Sequence, residues 1–298
     1  MRFQKVFGYF FAGLAMAALG GCGGDSSAVQ NNPAPPKEIP PPKFCNGHEA
    51  LCDRPFNEVA LPSTHNSMSN FDEGWGAANQ QHGLVKQLED GIRGMLLDSY
   101  EWEGGLHFCH GACELGNTPL VEGLKSIKSF MDEHPHEVLA FIMEDHITPE
   151  QTAQAFKESG LLAYVYTHTQ GAPWPTLREM LLSQKRLVVS AESGGPPPDW
   201  YHHAWDLIWD TPYSFKTVDE FSCALNRGSQ ANDLFLLNHW LGNPLPTEKL
   251  ATTANAYDVL SARAKQCAQE GGQLPNFVAV DFYSIGDLFQ VVNELNGL

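Results

Sequence analysis

Basic residues are scarce in this chain. Lys and Arg number 18 against 35 Asp and Glu, a formal charge of −17. A nucleic-acid partner requires a basic face that releases counterions, so that class is excluded. The same deficit leaves no polybasic patch for adhesion to an anionic bilayer. Zinc-type spacing is also missing, since no CxxC pair exists and no histidines stand at ligand spacing beside the cysteines. Beyond the N-terminal residues no apolar run is long enough to span a bilayer, and neither an internal repeat nor a second low-complexity linker interrupts residues 44–298. With 43% hydrophobic residues the chain has ample material for one sizeable core.

The chain opens on an address. Arg2 and Lys5 flank the start of an apolar stretch at 6–18, too short to cross a membrane as a helix. Leu19-Gly20-Gly21-Cys22 resembles a bacterial lipobox, so 1–21 read as a lipoprotein signal peptide and Cys22 as the lipidation site. The Gly-, Ser-, Asn- and Pro-rich segment 22–43 cannot bury a core and reads as an extended tether. The expectation is an exported protein held by acyl chains on a bacterial membrane. In a Gram-negative host this is the outer membrane, because Gly23 and not Asp follows Cys22. The six remaining cysteines read as disulfides in an exported chain. Proximity alone favours Cys45–Cys52, Cys109–Cys113 and Cys223–Cys267.

Residues 44–298 read as repeated strand-then-helix units, of a size typical for an α/β fold of the TIM-type (β/α)8 barrel kind, with room for irregularity. Strands are expected at 57–63, 92–98, 106–109, 138–143, near 164–166, and at 186–191, 234–238 and 277–281. Helices are expected at 85–90, 120–133, 149–159, 177–182 and 285–295. Leu120, Leu124, Ile127, Phe130 and Met131 recur at helical spacing, and Thr148 with Pro149 makes a helix start. The Pro-, Trp- and Tyr-rich stretch 194–221 reads as an insertion after the sixth strand.

Several apolar runs deliver a polar group at their C-terminal ends: LPSTHNS, GMLLDS, LHFCHG and VLAFIMED. In a parallel barrel those ends converge on one mouth, where the chemistry sits. His65 and His110 there would supply a base and an acid of near-neutral pKa, as phosphodiester cleavage requires. His107, three residues before His110, is the rival for the second role. Asn66, Asp98 and Glu144 offer oxygen donors only, which suits Ca²⁺, or Mg²⁺, over zinc.

The series LPSTHNS, GIRGMLLDS, LHFCHG, EVLAFIMEDH and FVAVDFY resembles the X-domain family of phosphatidylinositol-specific phospholipase C, among the PLC-like phosphodiesterases, from Cys45 to the C-terminus. The resemblance implies His65 as general base, His110 as general acid, and Asn66, Asp98 and Glu144 as calcium ligands. Metal-independent members carry Arg where Asp98 stands and a carboxylate where Asn66 stands, so this chain sides with the metal users. The metal users often carry an acidic residue two positions before the Asp; here it is Leu96, which either weakens cation binding or leaves water or Asp145 to compensate. Asp281 either orients His65 or caps the last helix.

The implied function is a phosphoric diester hydrolase or lyase of phospholipase C type, acting on an inositol-containing phospholipid or related phosphodiester at the membrane surface. Glycerophosphodiesters, sphingolipids or a non-catalytic surface role are the alternatives. Lys86, Arg93 and Arg186 lie at the wrong strand ends or on helices, so highly phosphorylated headgroups are not expected. Glu192, Asn238 and His239 stand where sugar hydroxyls would be bound. Trp200, Tyr201, Trp205, Trp209 and Tyr213 would either form a lipid-touching rim or pack internally.

Overall fold

The computed structural model describes residues 41–298; the signal, the lipobox-like cysteine and nearly all of the tether lie outside them. Ten strands form one sheet: β1 Leu61–Thr64, β2 Gly94–Trp102, β3 Gly105–Cys109, β4 Asn117–Pro119, β5 Leu139–Asp145, β6 Leu187–Ala191, β7 Tyr201–His203, β8 Ile208–Asp210, β9 Leu234–His239 and β10 Phe277–Val280. Eight follow one another as β7-β6-β5-β2-β1-β10-β9-β8, every neighbouring pair parallel. Among the described residues no ladder joins β7 to β8, so the α/β barrel is open along that seam.

The helices are α1 Leu84–Glu89, α2 Leu120–Glu133, α3 Pro149–Ser159, α4 Leu177–Leu182, α5 Ala204–Leu207, α6 Glu248–Ala254, α7 Tyr257–Gly271 and α8 Leu288–Leu295. Thr148 caps α3 through a reciprocal pair with Gln151, as its sequence position implies. The three disulfides expected from proximity are those observed.

Strand alternation divides the core in two. On β5, Leu139, Phe141 and Met143 join the layer shared with the helices, while Ala140 and Ile142 fill the barrel interior. On β2, Met95 and Leu97 face outward and Leu96 inward; on β9, Phe235 and Leu237 face outward and Leu236 inward. Burial on both faces explains the unbroken apolar runs. The same parity, continued past the strand end, decides which polar residues enter the mouth.

Three sequence-based expectations need correction. The segment 106–109 is a strand but pairs antiparallel to β2, so it is a hairpin arm outside the barrel. The expected strand near 164–166 is a 3-10 turn, Leu161–Tyr164, followed by one isolated bridge from Val165 to Leu187. The stretch read as an insertion contains two of the eight barrel strands, β7 and β8, each only three residues long. Strands that short leave no alternation to recognise.

Candidate active site

His65 leaves β1 with its backbone amide donating to Val280 O at 3.0 Å. Its Nδ1 lies 2.8 Å from Asp281 Oδ1. A carboxylate accepts only, so Nδ1 carries the proton and Nε2 is left as the basic nitrogen. Asn79 Nδ2 donates to the same Asp281 oxygen at 3.0 Å, and Trp240 stacks on the imidazole at 3.7 Å.

His110 repeats the arrangement. Its Nδ1 lies 3.0 Å from Asp98 Oδ2, and its Nε2 is 3.5 Å from Asn66 Nδ2. The Asp98 hydrogen bond raises the His110 pKa above its ordinary value, favouring the protonated imidazole. Burial pushes the Asp98 carboxyl up while the histidine pulls it back. Asn66 follows His65 in the chain and adopts a left-handed φ of 45°, which asparagine tolerates better than most residues. His107 is no rival: it bonds Asn117 at 3.0 Å within the β3–β4 hairpin.

A cavity of about 210 Å³ opens here, lined by His65, Asn66, Leu96, Asp98, Glu144 and Trp240 among others, with His110 joined to it through Asp98. Asp98 and Glu144 are paired positions on neighbouring strands β2 and β5. Glu144 also bonds a third histidine, His146, at 2.9 Å, and His146 lies against Tyr100. Leu96 faces the cavity, so the missing donor is missing at the mouth itself. Asp145 is not among the residues lining the cavity; its two oxygens accept from the Ser193 and Gly194 amides, at 2.9 and 2.8 Å. Among the described residues no three His, Cys, Asp or Glu side chains gather as a metal cage. Two carboxylates and an amide on adjacent strand ends do fit the donor chemistry of a hard cation that draws its other ligands from water and substrate.

The far wall holds a residue the sequence reading missed. Arg227 lies 2.6 Å from Glu192 and 2.6 Å from Asp210, with its guanidinium over the Trp205 ring at 3.9 Å. Burial pushes the Glu192 carboxyl up to about 7 despite this pairing. Asn238 lines the cavity, donates to Asp210 at 3.0 Å and keeps a buried, unpartnered Oδ1. His239, expected beside it, falls on the outward parity of β9. It is fully buried, bonds Ala254 O at 2.8 Å, and does not reach the cavity. Tyr201 and Trp209 are likewise fully buried, Trp200 and Trp205 are half-buried, and of these five aromatics only Tyr213, 45% exposed, lines the cavity.

Fold and site together define a class: an α/β-barrel protein with one histidine at the end of a barrel strand and a second brought beside it by an antiparallel hairpin. Residues 51–296 match the family described as PI-PLC X 1, and the chain belongs to that family. An Arthroderma benhamiae protein described as an uncharacterized secreted protein is 29% identical over 287 residues, covering 85% of this chain and 64% of its own length. A PI-PLC X domain-containing protein of Arabidopsis thaliana is 27% identical over 270 residues, covering 82% and 63%. PI-PLC X domain-containing protein 1 of A. benhamiae is 28% identical over 276 residues, covering 86% and 90%. This chain thus spans a little under two thirds of the length of the first two. These relatives are fungal and plant proteins, and nothing in them supports the bacterial-lipoprotein reading of Cys22. Among solved structures, a phosphatidylinositol-specific phospholipase C of Staphylococcus aureus superposes with a TM-score of 0.58 at 15% identity, over 86% of this chain and 96% of that one. That likeness is one of fold. Among the described residues no helix is long and apolar enough to cross a membrane.

Proposed function

We propose that this chain is an exported phosphodiesterase of phospholipase C type, cleaving an inositol-containing phospholipid or a closely related phosphodiester. The observation that carries the reading is a pair of imidazoles, each held through Nδ1 by its own carboxylate: His65, on the cavity wall, by Asp281, and His110 by the cavity-lining Asp98. His65 Nε2 takes the proton from a headgroup hydroxyl next to the phosphoester. That oxygen attacks phosphorus, the bond to the diacylglycerol oxygen breaks, and protonated His110 gives its proton to the departing alkoxide. The headgroup leaves as a cyclic phosphate.

Asn66, Asp98 and Glu144 would hold Ca²⁺, or the smaller Mg²⁺, which when bound neutralises charge developing on the phosphoryl oxygens. Glu192, Arg227 and Asn238 face the place where headgroup hydroxyls would lie, with Tyr213 and Trp240 as apolar walls. Arg227 is already balanced by Glu192 and Asp210, so the wall has no spare positive charge for additional phosphates. A headgroup phosphorylated only at the scissile position fits best. Export, and attachment through a lipid on Cys22, belong to the same proposal.

The test is a panel of phosphodiester lipids in vesicles, assayed with wild type, His65→Ala and His110→Ala, with calcium added or chelated. The reading predicts turnover of an inositol lipid by wild type and loss in both variants. Equal rates for all three proteins on every lipid would end it.

A further inference from the structure

The two histidines are anchored by different means. His65 is fixed by its backbone bond to Val280 and by Trp240 across its ring, and its side chain is 20% exposed. His110 lies one residue beyond the last paired position of β3, Cys109 opposite Asn117, and its side chain is 47% exposed. The loop that carries it reads Cys109-His110-Gly111-Ala112-Cys113. Gly111 has a φ of 64° and Ala112 has only a methyl group, so neither side chain restrains the loop. What closes it is the Cys109–Cys113 disulfide, both cysteines buried, with His110 inside the ring.

We propose that this disulfide positions the second histidine, holding the His110 backbone where Nδ1 meets Asp98. The inference rests on the acid role given to His110 above. A staple serving global stability gains with the length of chain it encloses. By that measure the separation of 4 is the least useful of the three, beside 7 for Cys45–Cys52 and 44 for Cys223–Cys267. Its value is local. It limits the conformations open to an exposed loop on which a proton donor must be placed within a fraction of an ångström.

The experiment compares Cys109→Ser/Cys113→Ser with wild type, and with Cys45→Ser/Cys52→Ser as a disulfide-loss control. Two substrates are used: phosphatidylinositol, whose alkoxide leaving group needs a proton, and a nitrophenyl ester of inositol phosphate, whose leaving group does not. Loss of the positioning bond lowers kcat on phosphatidylinositol about 10- to 100-fold with KM little changed. The nitrophenyl ester is cleaved at nearly the wild-type rate, and the control variant keeps both activities. Nitrogen-edited NMR supplies a readout independent of turnover: the hydrogen-bonded His110 Nδ1 proton, present in wild type, is averaged away in the variant. Equal losses on both esters, or no loss on phosphatidylinositol, would overturn the proposal. A wild type that cleaves neither ester removes the enzymatic reading, while an Nδ1 proton unchanged in the variant removes the positioning role separately. If the serine pair does not fold, a glycine inserted after Gly111 widens the ring with the disulfide intact. It should give the same selective loss, and full activity there would contradict the inference.

Discussion

Trp240 lies flat against His65, ring centroids 3.7 Å apart and planes within 5° of parallel. The imidazole is therefore held on its face by an indole and at Nδ1 by Asp281, which is itself fixed by Asn79. An imidazole so constrained has little freedom left to lose when a ligand arrives, and such orientation is one way to lower a barrier.

Asp281→Asn removes that control. An amide donates as readily as it accepts, so the Nδ1 proton is no longer specified and part of the population presents the wrong nitrogen. We expect kcat to fall about 10²- to 10⁴-fold with KM nearly constant. Trp240→Leu keeps the tautomer and loses only the face contact, so its loss should be about tenfold. Steady-state kinetics on one lipid substrate separates the two, and an Asp281→Asn enzyme with wild-type kcat would refute the arrangement.

The hydrogen bond from Asp98 raises the His110 pKa above its ordinary 6.5. A general acid works protonated, so activity falls as pH rises through that pKa. The alkaline limb of kcat/KM for wild type should lie above 6.5, and in Asp98→Asn, where the support is lost, it should move down toward 6.5. The pH profile of both proteins checks this. An unmoved limb would show that Asp98 does not set the acid.

Much of this site was legible because strand parity survives in sequence. Asp98 and Glu144 continue the inward series of Leu96 and Ile142, and each reaches the cavity. His239 illustrates the limit: adjacent to Asn238 in sequence, it is one residue off the inward series and so faces the helices. His110 follows an apolar run as the barrel pattern requires, yet it arrives from an antiparallel hairpin and not from a barrel strand. Arg227 and Asn79 lie in loops with no periodicity, and only tertiary contacts with Asp210 and Asp281 bring them to the mouth. Helix α7 was not anticipated, its inner face being the modest set Leu260, Ala264 and Cys267.

Arg227 holds a structural charge as well as a cavity wall. Asp210 is fully buried, and Arg227→Met leaves its carboxylate without a cation. We expect a loss of about 3–5 kcal/mol in unfolding free energy, measured by urea titration. Glu192 adds a pH signature. Its folded pKa of about 7 stands above the ordinary 4.5, so between these values the folded state holds a proton that the unfolded state has released. Stability contributed by this group therefore falls as pH rises from 4.5 through 7, by about 1–3 kcal/mol, and Glu192→Gln should flatten that slope. A melting-temperature series from pH 4.5 to 8 on both proteins decides the matter.

Leu96→Asp places an oxygen donor on the inward face of β2, two residues before Asp98. Calcium affinity, measured by titration calorimetry, should rise about 10-fold or more over wild type, because affinity in oxygen sites grows with carboxylate count. Unchanged affinity would remove Asn66, Asp98 and Glu144 as the cation site.

The most direct test of the central claim is the identity of the first phosphorus product. Phosphorus NMR of wild-type protein with phosphatidylinositol vesicles should show a cyclic inositol phosphate appearing before any open monoester, with no such signal from His65→Ala or His110→Ala. Release of an open monoester from the outset, or a cyclic product formed equally well by either variant, would contradict the assignment of these two histidines as base and acid.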